Sequence, residues 1–245
     1  MVRADKLYEG KSKAVFATNQ KDLVIIEHKN TATAFDGAKK EELVDKGRIC
    51  AAISNLIFEH LTKCGITTHF VKELSGTEIL AKKVEVIPVE VIVRNVAAGG
   101  FAKKYGVDEG CELNNITFEF CIKSDILRDP MINQCQLTAL GIVTRKELDT
   151  MLEVSGKINT LLIKLFCKAG IRLVDFKLEF GRYKGDVILC DEISPDSCRL
   201  WDSTTGKKLD KDRFRRDLGK VMDAYQEVLD RLKTALLGNG GTEKL

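Results

Sequence analysis

A lysine between two carboxylates on one strand face, followed by an acidic pair closing the next strand, is the most chemically loaded pattern in this sequence. Residues 171–181 read IRLVDFKLEFG. A period of two puts Val174, Phe176, Leu178 and Phe180 on one face and Asp175, Lys177 and Glu179 on the other. The same alternation describes an ordinary solvated face, and this strand alone does not choose between the two. Residues 181–192 favour a site. Their first part, GRYKGD (181–186), has turn chemistry, and the apolar run 187–190 leads straight into Asp191-Glu192. A hairpin register that keeps faces matched brings Asp191 beside the Asp175/Lys177/Glu179 row, with diagonal neighbours roughly 7–8 Å apart. Carboxylates at the mouth of a sheet suit magnesium, which takes one or two of them, keeps several waters and shares substrate phosphates. Glu179 and Asp191 are the natural metal pair.

Two other segments could meet phosphate. In YEGKSK (8–13), Gly10 lets backbone amides approach phosphate oxygens, and Lys11 and Lys13 add charge. A plain hairpin with surface lysines has the same look. The segment is not GxxxxGK[ST], which excludes a P-loop, and it lacks the three-glycine spacing of a dinucleotide fold or a kinase loop. It gains weight because a metal pair elsewhere calls for a nucleotide. In IPVEVIVRNVAAGGFAK (87–103), Arg94 closes an apolar strand, and small residues then open a short helix. That is a phosphate cradle, or a strand-to-helix turn whose arginine pairs with an acidic neighbour.

The elements that must position these residues are short. Residues 6–8, 14–17, 23–27, 68–73 and 79–84 read as strands around one helix, whose stripe of Ile49, Ile53, Leu56, Ile57 and Leu61 stops at Gly65. Beyond residue 82 come strands at 86–93 and 116–122. A helical stripe through Ile158, Leu161, Leu162, Leu165 and Phe166 stops at Gly170, and a longer stripe runs from Phe214 to Leu236. Both stripes read as packing. Residues 238–245, GNGGTEKL, read as a frayed tail. The fold class is α+β with a nucleotide cleft between two lobes. The expected division is 1–82, a mainly antiparallel sheet lobe carrying the nucleotide loop, and 83–245, a larger α+β lobe for catalysis and substrate binding.

Composition narrows the partners. The 245 residues can bury a sizeable core, and 44% hydrophobic with 31% charged residues is ordinary globular usage. The 39 basic and 36 acidic residues nearly cancel, with no long basic run, so neither nucleic acid nor a membrane surface is the expected partner. No apolar stretch reaches the ~20 residues of a membrane span, and the start has no signal-peptide pattern. Eight cysteines without a CxxC pair read as reduced thiols in a cytoplasmic protein, not as a disulfide framework or a zinc site.

Taken together, these segments closely resemble the SAICAR synthetase family of purine biosynthesis. LVDFKLEFG (173–181) and DEISPDSCRLWD (191–202) look like two family motifs, IPVEVIVRNVAAGG (87–100) like a third, and YEGKSK like the N-terminal nucleotide loop. FDG (35–37), DPMI (129–132) and TALG (138–141) fall in the family's order, so the resemblance covers essentially the whole chain. One departure is Gly100, where the family usually has serine. The resemblance implies a ligase that joins L-aspartate to carboxyaminoimidazole ribonucleotide (CAIR) with ATP and magnesium, giving SAICAR, ADP and phosphate through an acyl phosphate. It implies that Gly10, Lys11, Ser12, Lys13, Val15, Ala81, Lys82 and Val84 hold the nucleotide, with adenine against backbone near 81–84. Arg94, Gly99, Gly100 and Arg199 would hold the CAIR phosphate. Asp175, Lys177 and Lys123 would orient its imidazole, ribose and carboxylate, and Asp196 would orient Arg199 or a substrate amine. Lys13, Asp175, Lys177 and Asp191 would carry the catalysis. The family's bacterial members imply a homodimer.

Two other classes compete. A kinase-like phosphotransferase would also use a two-lobed cleft with magnesium carboxylates, but the chain lacks an HRD-type loop and a DFG. A nucleotide sensor would have no use for the full set of charged residues.

Overall fold

β-branched runs broken by glycine turns become strands, and amphipathic stripes become helices, in the computed structural model, which describes residues 2–34 and 37–238. Phe35 and Asp36 of the FDG segment, and 239–245 of the expected tail, lie outside the described residues. The first part comprises β1 (Arg3–Glu9), β2 (Lys13–Thr18), β3 (Leu23–His28), β4 (Thr31–Ala34), β5 (Lys39–Glu42), α1 (Lys46–Lys63), β6 (Phe70–Glu73) and β7 (Glu78–Lys82). Next come β8 (Glu85–Val96), α2 (Gly99–Tyr105), β9 (Glu112–Ile122), β10 (Met131–Ile132), α3 (Gln134–Ala139) and α4 (Arg145–Lys168). The chain continues through β11 (Ile171–Tyr183), β12 (Asp186–Cys190), β13 (Cys198–Asp202), α5 (Asp212–Arg215) and α6 (Val221–Leu237).

The fold is α+β, as expected. An antiparallel sheet of order β1-β2-β3-β7-β6 ends at Lys82, and a second, β10-β9-β8-β11-β12, begins at Glu85. β11 is the spine of the second sheet. One edge pairs with β8, while the other pairs with β13 along its first half and β12 along its second. α1 and α4 lay their apolar stripes, Ile49/Ile53/Ile57/Leu61 and Ile158/Leu162/Leu165/Phe166, into one core with Phe176, Leu178 and Phe180 of β11. So α1, though it precedes β6 and β7 in the chain, packs in the core of the second sheet.

One helix expectation needs correction. The stripe from Phe214 to Leu236 is not a single helix, because Asp217, Gly219 and Lys220 all take positive φ and separate α5 from α6. Phe214 packs instead with Ala32 and Ala34 of β4. β13 is also hidden in the sequence, because CRLWD sits in a motif whose charges dominate its pattern.

Candidate active site

The face of β11 that carries Asp175, Lys177 and Glu179 is not solvated. Asp175 and Glu179 are each 4% exposed, since strands cover both edges of β11 and their side chains meet charged partners. Asp175 lies directly opposite Arg94 of β8 and Arg199 of β13. Arg94 Nη1 donates to its Oδ2 at 2.6 Å and Arg199 Nη1 to the same oxygen at 2.8 Å. Arg94 Nε donates to Glu119, and Arg199 Nε to Asp212 at 3.1 Å. Two guanidinium groups are thereby fixed side by side. Gly99, at φ 54°, lies so close that a Cβ there would sit 2.3 Å from Arg199 Nη2, whereas a Cβ on Gly100 would meet open space.

At the other end of this row, Glu179 lies opposite Glu90 of β8. Like charges so placed repel unless a cation joins them. Lys177 does so, donating to Glu179 and, at 3.0 Å, to Glu90, with Asp191 Oδ2 3.5 Å away. Lys123 also pairs with Glu179. Lys13 of β2 pairs with Asp191 and, at 2.9 Å, with Glu192, joining the nucleotide loop to the end of β12. Asp191 reaches this row by a different route from the one expected. Cys190, not Asp191, pairs with Glu179, and a regular strand would turn Asp191 to the opposite face. Its φ of 66° ends the strand and re-aims the residue.

These groups floor a cleft of about 810 Å³. Gly10, Lys11, Ser12, Lys13, Val15, Lys82 and Val84 line it, as do Lys123, Lys177, Glu179, Asp191 and Asp196. Lys11 reaches across its mouth to Asp125 at 2.7 Å. Ala81 is fully buried and, like Arg94, Gly99, Gly100, Asp175 and Arg199, does not line this cleft. The backbone expected to face adenine is partly used already: Lys82 N donates to His69 O and Lys83 N to Asp22 O. Two other placements also differ from the sequence reading. Asp175 faces the arginines, where it positions them, and does not line the cleft beside Lys177. Asp196 does not orient Arg199: it accepts from Lys46 at 2.6 Å and from the Tyr225 hydroxyl at 2.7 Å, with Lys211 at 3.7 Å.

At Lys13, Lys177 and Asp191 burial opposes charge, and ion pairing wins. Burial lowers the Lys13 ammonium, but Asp191 and Glu192 more than offset it and hold it above its ordinary value. Burial likewise raises Asp191, yet Lys13 and then Lys177 hold it far below the usual carboxylate range. Lys177 is raised well above its ordinary value because Glu179, Asp191 and Glu90 outweigh its desolvation. The histidines go the other way. Burial, reinforced by the Lys13 ammonium, holds His28 at about 4 and His69 at about 3. Burial and the adjacent Asp212 push Asp210 up to about 7.

These shifts set the pH dependence of stability. Between about pH 4 and the ordinary histidine value of 6.5, His28 and His69 bind fewer protons folded than unfolded, so stability rises with pH. Asp210 binds more protons folded than unfolded between 3.8 and about 7, which opposes that rise. Two groups outweigh one. Unfolding free energy should climb by up to roughly 1.4 kcal/mol per pH unit near pH 5, with a slope that falls off toward pH 6.5. Denaturant titrations at pH 5 and 6.5 check this, and equal or falling stability would show the histidines titrating normally.

The donor set fits magnesium. Lys13, Lys123 and Lys177 face Glu90, Glu179, Asp191 and Glu192, so the floor carries one surplus negative charge. Among the described residues no cluster of three His, Cys, Asp or Glu forms a ready cage. A carboxylate pair completed by phosphate oxygens is magnesium's habit. Glu179 and Asp191, both in reach of Lys177, would hold it. All eight cysteines are free, and among the described residues no helix is long and apolar enough to cross a membrane.

Several charged partners escape sequence reasoning. Glu90, Glu119, Lys46 and Asp212 lie in different elements, and only strand register or helix packing brings them in.

Known proteins are similar to this chain along nearly all of its length. A family model described as SAICAR synthetase matches residues 6–232. The phosphoribosylaminoimidazole-succinocarboxamide synthase of Clostridium perfringens is 52% identical over 94% of this chain and 97% of its own. That of Clostridium botulinum strain Alaska E43 is 53% identical over 95% and 99%. Among solved structures, the Ehrlichia chaffeensis phosphoribosylaminoimidazole-succinocarboxamide synthase superposes with a TM-score of 0.92 at 43% identity, covering 94% of this chain and 98% of that one. A SAICAR synthetase in complex with ADP superposes at 0.90 with 41% identity, covering 98% and 100%.

Proposed function

The chain belongs to the SAICAR synthetase family, and we propose that its cleft joins L-aspartate to the carboxylate of CAIR through an acyl phosphate. It is an ATP-dependent ligase that forms SAICAR in purine biosynthesis. The observation that carries the fuller reading is the single charge row on β11. One end gathers Lys13, Asp191, Lys177 and Glu179, and the other gathers Arg94, Asp175 and Arg199. Asp175 and Lys177 are two residues apart, roughly 7 Å along the strand. Such a row suits a ribonucleotide with a carboxylate at one end and a 5′-phosphate at the other.

In this reading a CAIR carboxylate oxygen attacks the γ-phosphorus and ADP leaves. The aspartate amine then adds to the acyl carbon, loses a proton, and expels phosphate bearing that carboxylate oxygen. Phosphoryl transfer needs positioning and charge neutralisation more than covalent help. Lys11 and Lys13 meet the β- and γ-phosphates, Lys177 and Lys123 the acceptor carboxylate, and Arg94 and Arg199 the 5′-phosphate. Magnesium on Glu179 and Asp191 would supply further charge neutralisation. Asp175 acts by holding the two arginines side by side. In this reading Asp196, which lines the cleft and pairs with Lys46, orients the amine substrate. We propose that the protein is cytoplasmic and works as a homodimer, the latter checked by the molar mass from light scattering.

The test is ADP release measured with each substrate omitted. The reading expects release coupled one-to-one to SAICAR and dependent on CAIR and aspartate together. ADP release that ignores CAIR, or label transferred to protein, would overturn it.

Gly100 supplies a sharper test of the phosphate end. Its φ is not positive and a Cβ there meets nothing, so serine fits without strain. Gly100→Ser should lower the KM for CAIR about five-fold, equivalent to about 1 kcal/mol for one added hydrogen bond to a charged group. The KM for ATP should stay fixed. A parallel shift in both would mean that the turn shapes the whole cleft.

A further inference from the structure

Lys46 places a cation where the fold gives it least help. It is the first residue of α1, where the helix dipole disfavours positive charge, and its side chain is only 3% exposed. A buried ammonium is costly unless paired, and an apolar pair of similar volume commonly serves stability as well or better. Stability alone therefore does not account for this lysine. Its ammonium lies 2.6 Å from Asp196 Oδ2, and the buried Tyr225 of α6 donates its hydroxyl to Oδ1 at 2.7 Å. Each carboxylate oxygen is thus held by a different helix. Asp196 lines the cleft, and neither Lys46 nor Tyr225 does. The backbone of the same loop is tied down as well: Ile193 N donates to Ser54 Oγ of α1 at 3.2 Å, and Asp196 N to Ser194 Oγ at 3.1 Å. Ser194 Oγ in turn donates to Glu192 at 2.6 Å, and Glu192 pairs with Lys13. Burial raises the Asp196 carboxyl, but Lys211 and Lys46 hold it below the usual carboxylate range, so it stays charged.

We infer that Lys46 and Tyr225 are positioning residues that fix the Asp196 carboxylate in one orientation at the cleft wall, where it receives the amine substrate. The inference rests on the amine-orienting role proposed for Asp196. An ionised carboxylate accepts at about four lone-pair sites, so these two contacts leave acceptor capacity for an ammonium group in the cleft. The torsion that turns a carboxylate is broad when nothing restrains it, so loss of either partner lets Asp196 rotate out of line. Because Ser194 and Glu192 join Asp196 to Lys13, one loop sets both the amine's approach and the phosphoryl end.

The test uses Tyr225→Phe, which keeps the ring and loses the hydroxyl, and Lys46→Met, which keeps the chain length and loses the charge. The readouts are the KM values for aspartate, CAIR and ATP, with thermal stability alongside. Tyr225→Phe should raise the KM for aspartate about ten-fold, the equivalent of one hydrogen bond to a charged group, while the other two stay within about two-fold. Lys46→Met should raise it at least as far. It also strips Asp196 of its buried cation and should unfold at a lower temperature; if it does not fold, Tyr225→Phe decides alone. An unchanged KM for aspartate in the folded variants would overturn the inference. So would equal rises for all three substrates, which is what a merely structural contact gives. Asp196→Asn is the control. If it keeps the wild-type KM for aspartate, the amine role of Asp196 falls and takes this inference with it. If it loses aspartate binding while Tyr225→Phe does not, only the inference falls.

Discussion

Asp191→Asn should lower turnover by about 100-fold or more while leaving the chain folded. The carboxylate serves three neighbours at once: it neutralises Lys13, lies 3.5 Å from Lys177, and forms half of the proposed magnesium pair with Glu179. Asparagine can still accept from Lys13, and Glu192 stays 2.9 Å from that ammonium, so the fold keeps its local pairing. The amide cannot hold a hard cation with a full charge. Removing one preorganised electrostatic group from a phosphoryl-transfer site costs on the order of 10²–10³ in kcat. A magnesium titration of the variant checks this. Wild-type turnover at saturating magnesium would sink the assignment of Asp191.

Lys13→Ala and Arg199→Ala should fail in different ways. Lys13 bridges the nucleotide loop to Asp191 and Glu192, so its loss removes charge at the phosphoryl group as it transfers. The expected fall in kcat is again on the order of 10²–10³, and no substrate concentration restores it. Arg199 lies at the far end of the row, sharing Asp175 with Arg94. Its loss frees Asp175 from one partner and loosens the other arginine, so the KM for CAIR should rise by roughly 10–100-fold while high CAIR recovers most of kcat. Saturation curves in CAIR separate the two. An unrescued Arg199→Ala beside a silent Lys13→Ala would reverse the roles assigned to the two ends of the charge row.

Legibility in the sequence depends on how far away a residue's partners lie. Period-two patterning needs only local residues, so β11 and its charged face are legible in LVDFKLEFG, and the helical stripes reveal α1 and α4. Asp191 does join the row, although its register with Glu179 is displaced by one residue, because its left-handed φ leaves no mark in the residue type. Asp196 does not meet Arg199, one of the two partners expected for it, because Lys46 and Tyr225 reach it from α1 and α6, and nothing local announces a lysine buried by helix packing. For Asp175 the pattern reveals its face but not its neighbours. Only the pairing of β11 with both β8 and β13 shows that it stands between two arginines. The break between α5 and α6 stays hidden because an apolar stripe can continue across residues that leave the helix.

The passage of a carboxylate oxygen from CAIR into phosphate tests the central claim most directly. CAIR labelled with oxygen-18 in its carboxylate, turned over once with ATP and aspartate, should yield inorganic phosphate carrying one labelled oxygen. SAICAR should retain the other at its new amide carbonyl. An acyl phosphate requires this whatever the order of substrate binding, because the oxygen that accepts the γ-phosphoryl group is the one that departs with it. Phosphate free of label, formed in step with SAICAR, would contradict phosphoryl transfer to the CAIR carboxylate and, with it, the proposed role of the charge row on β11.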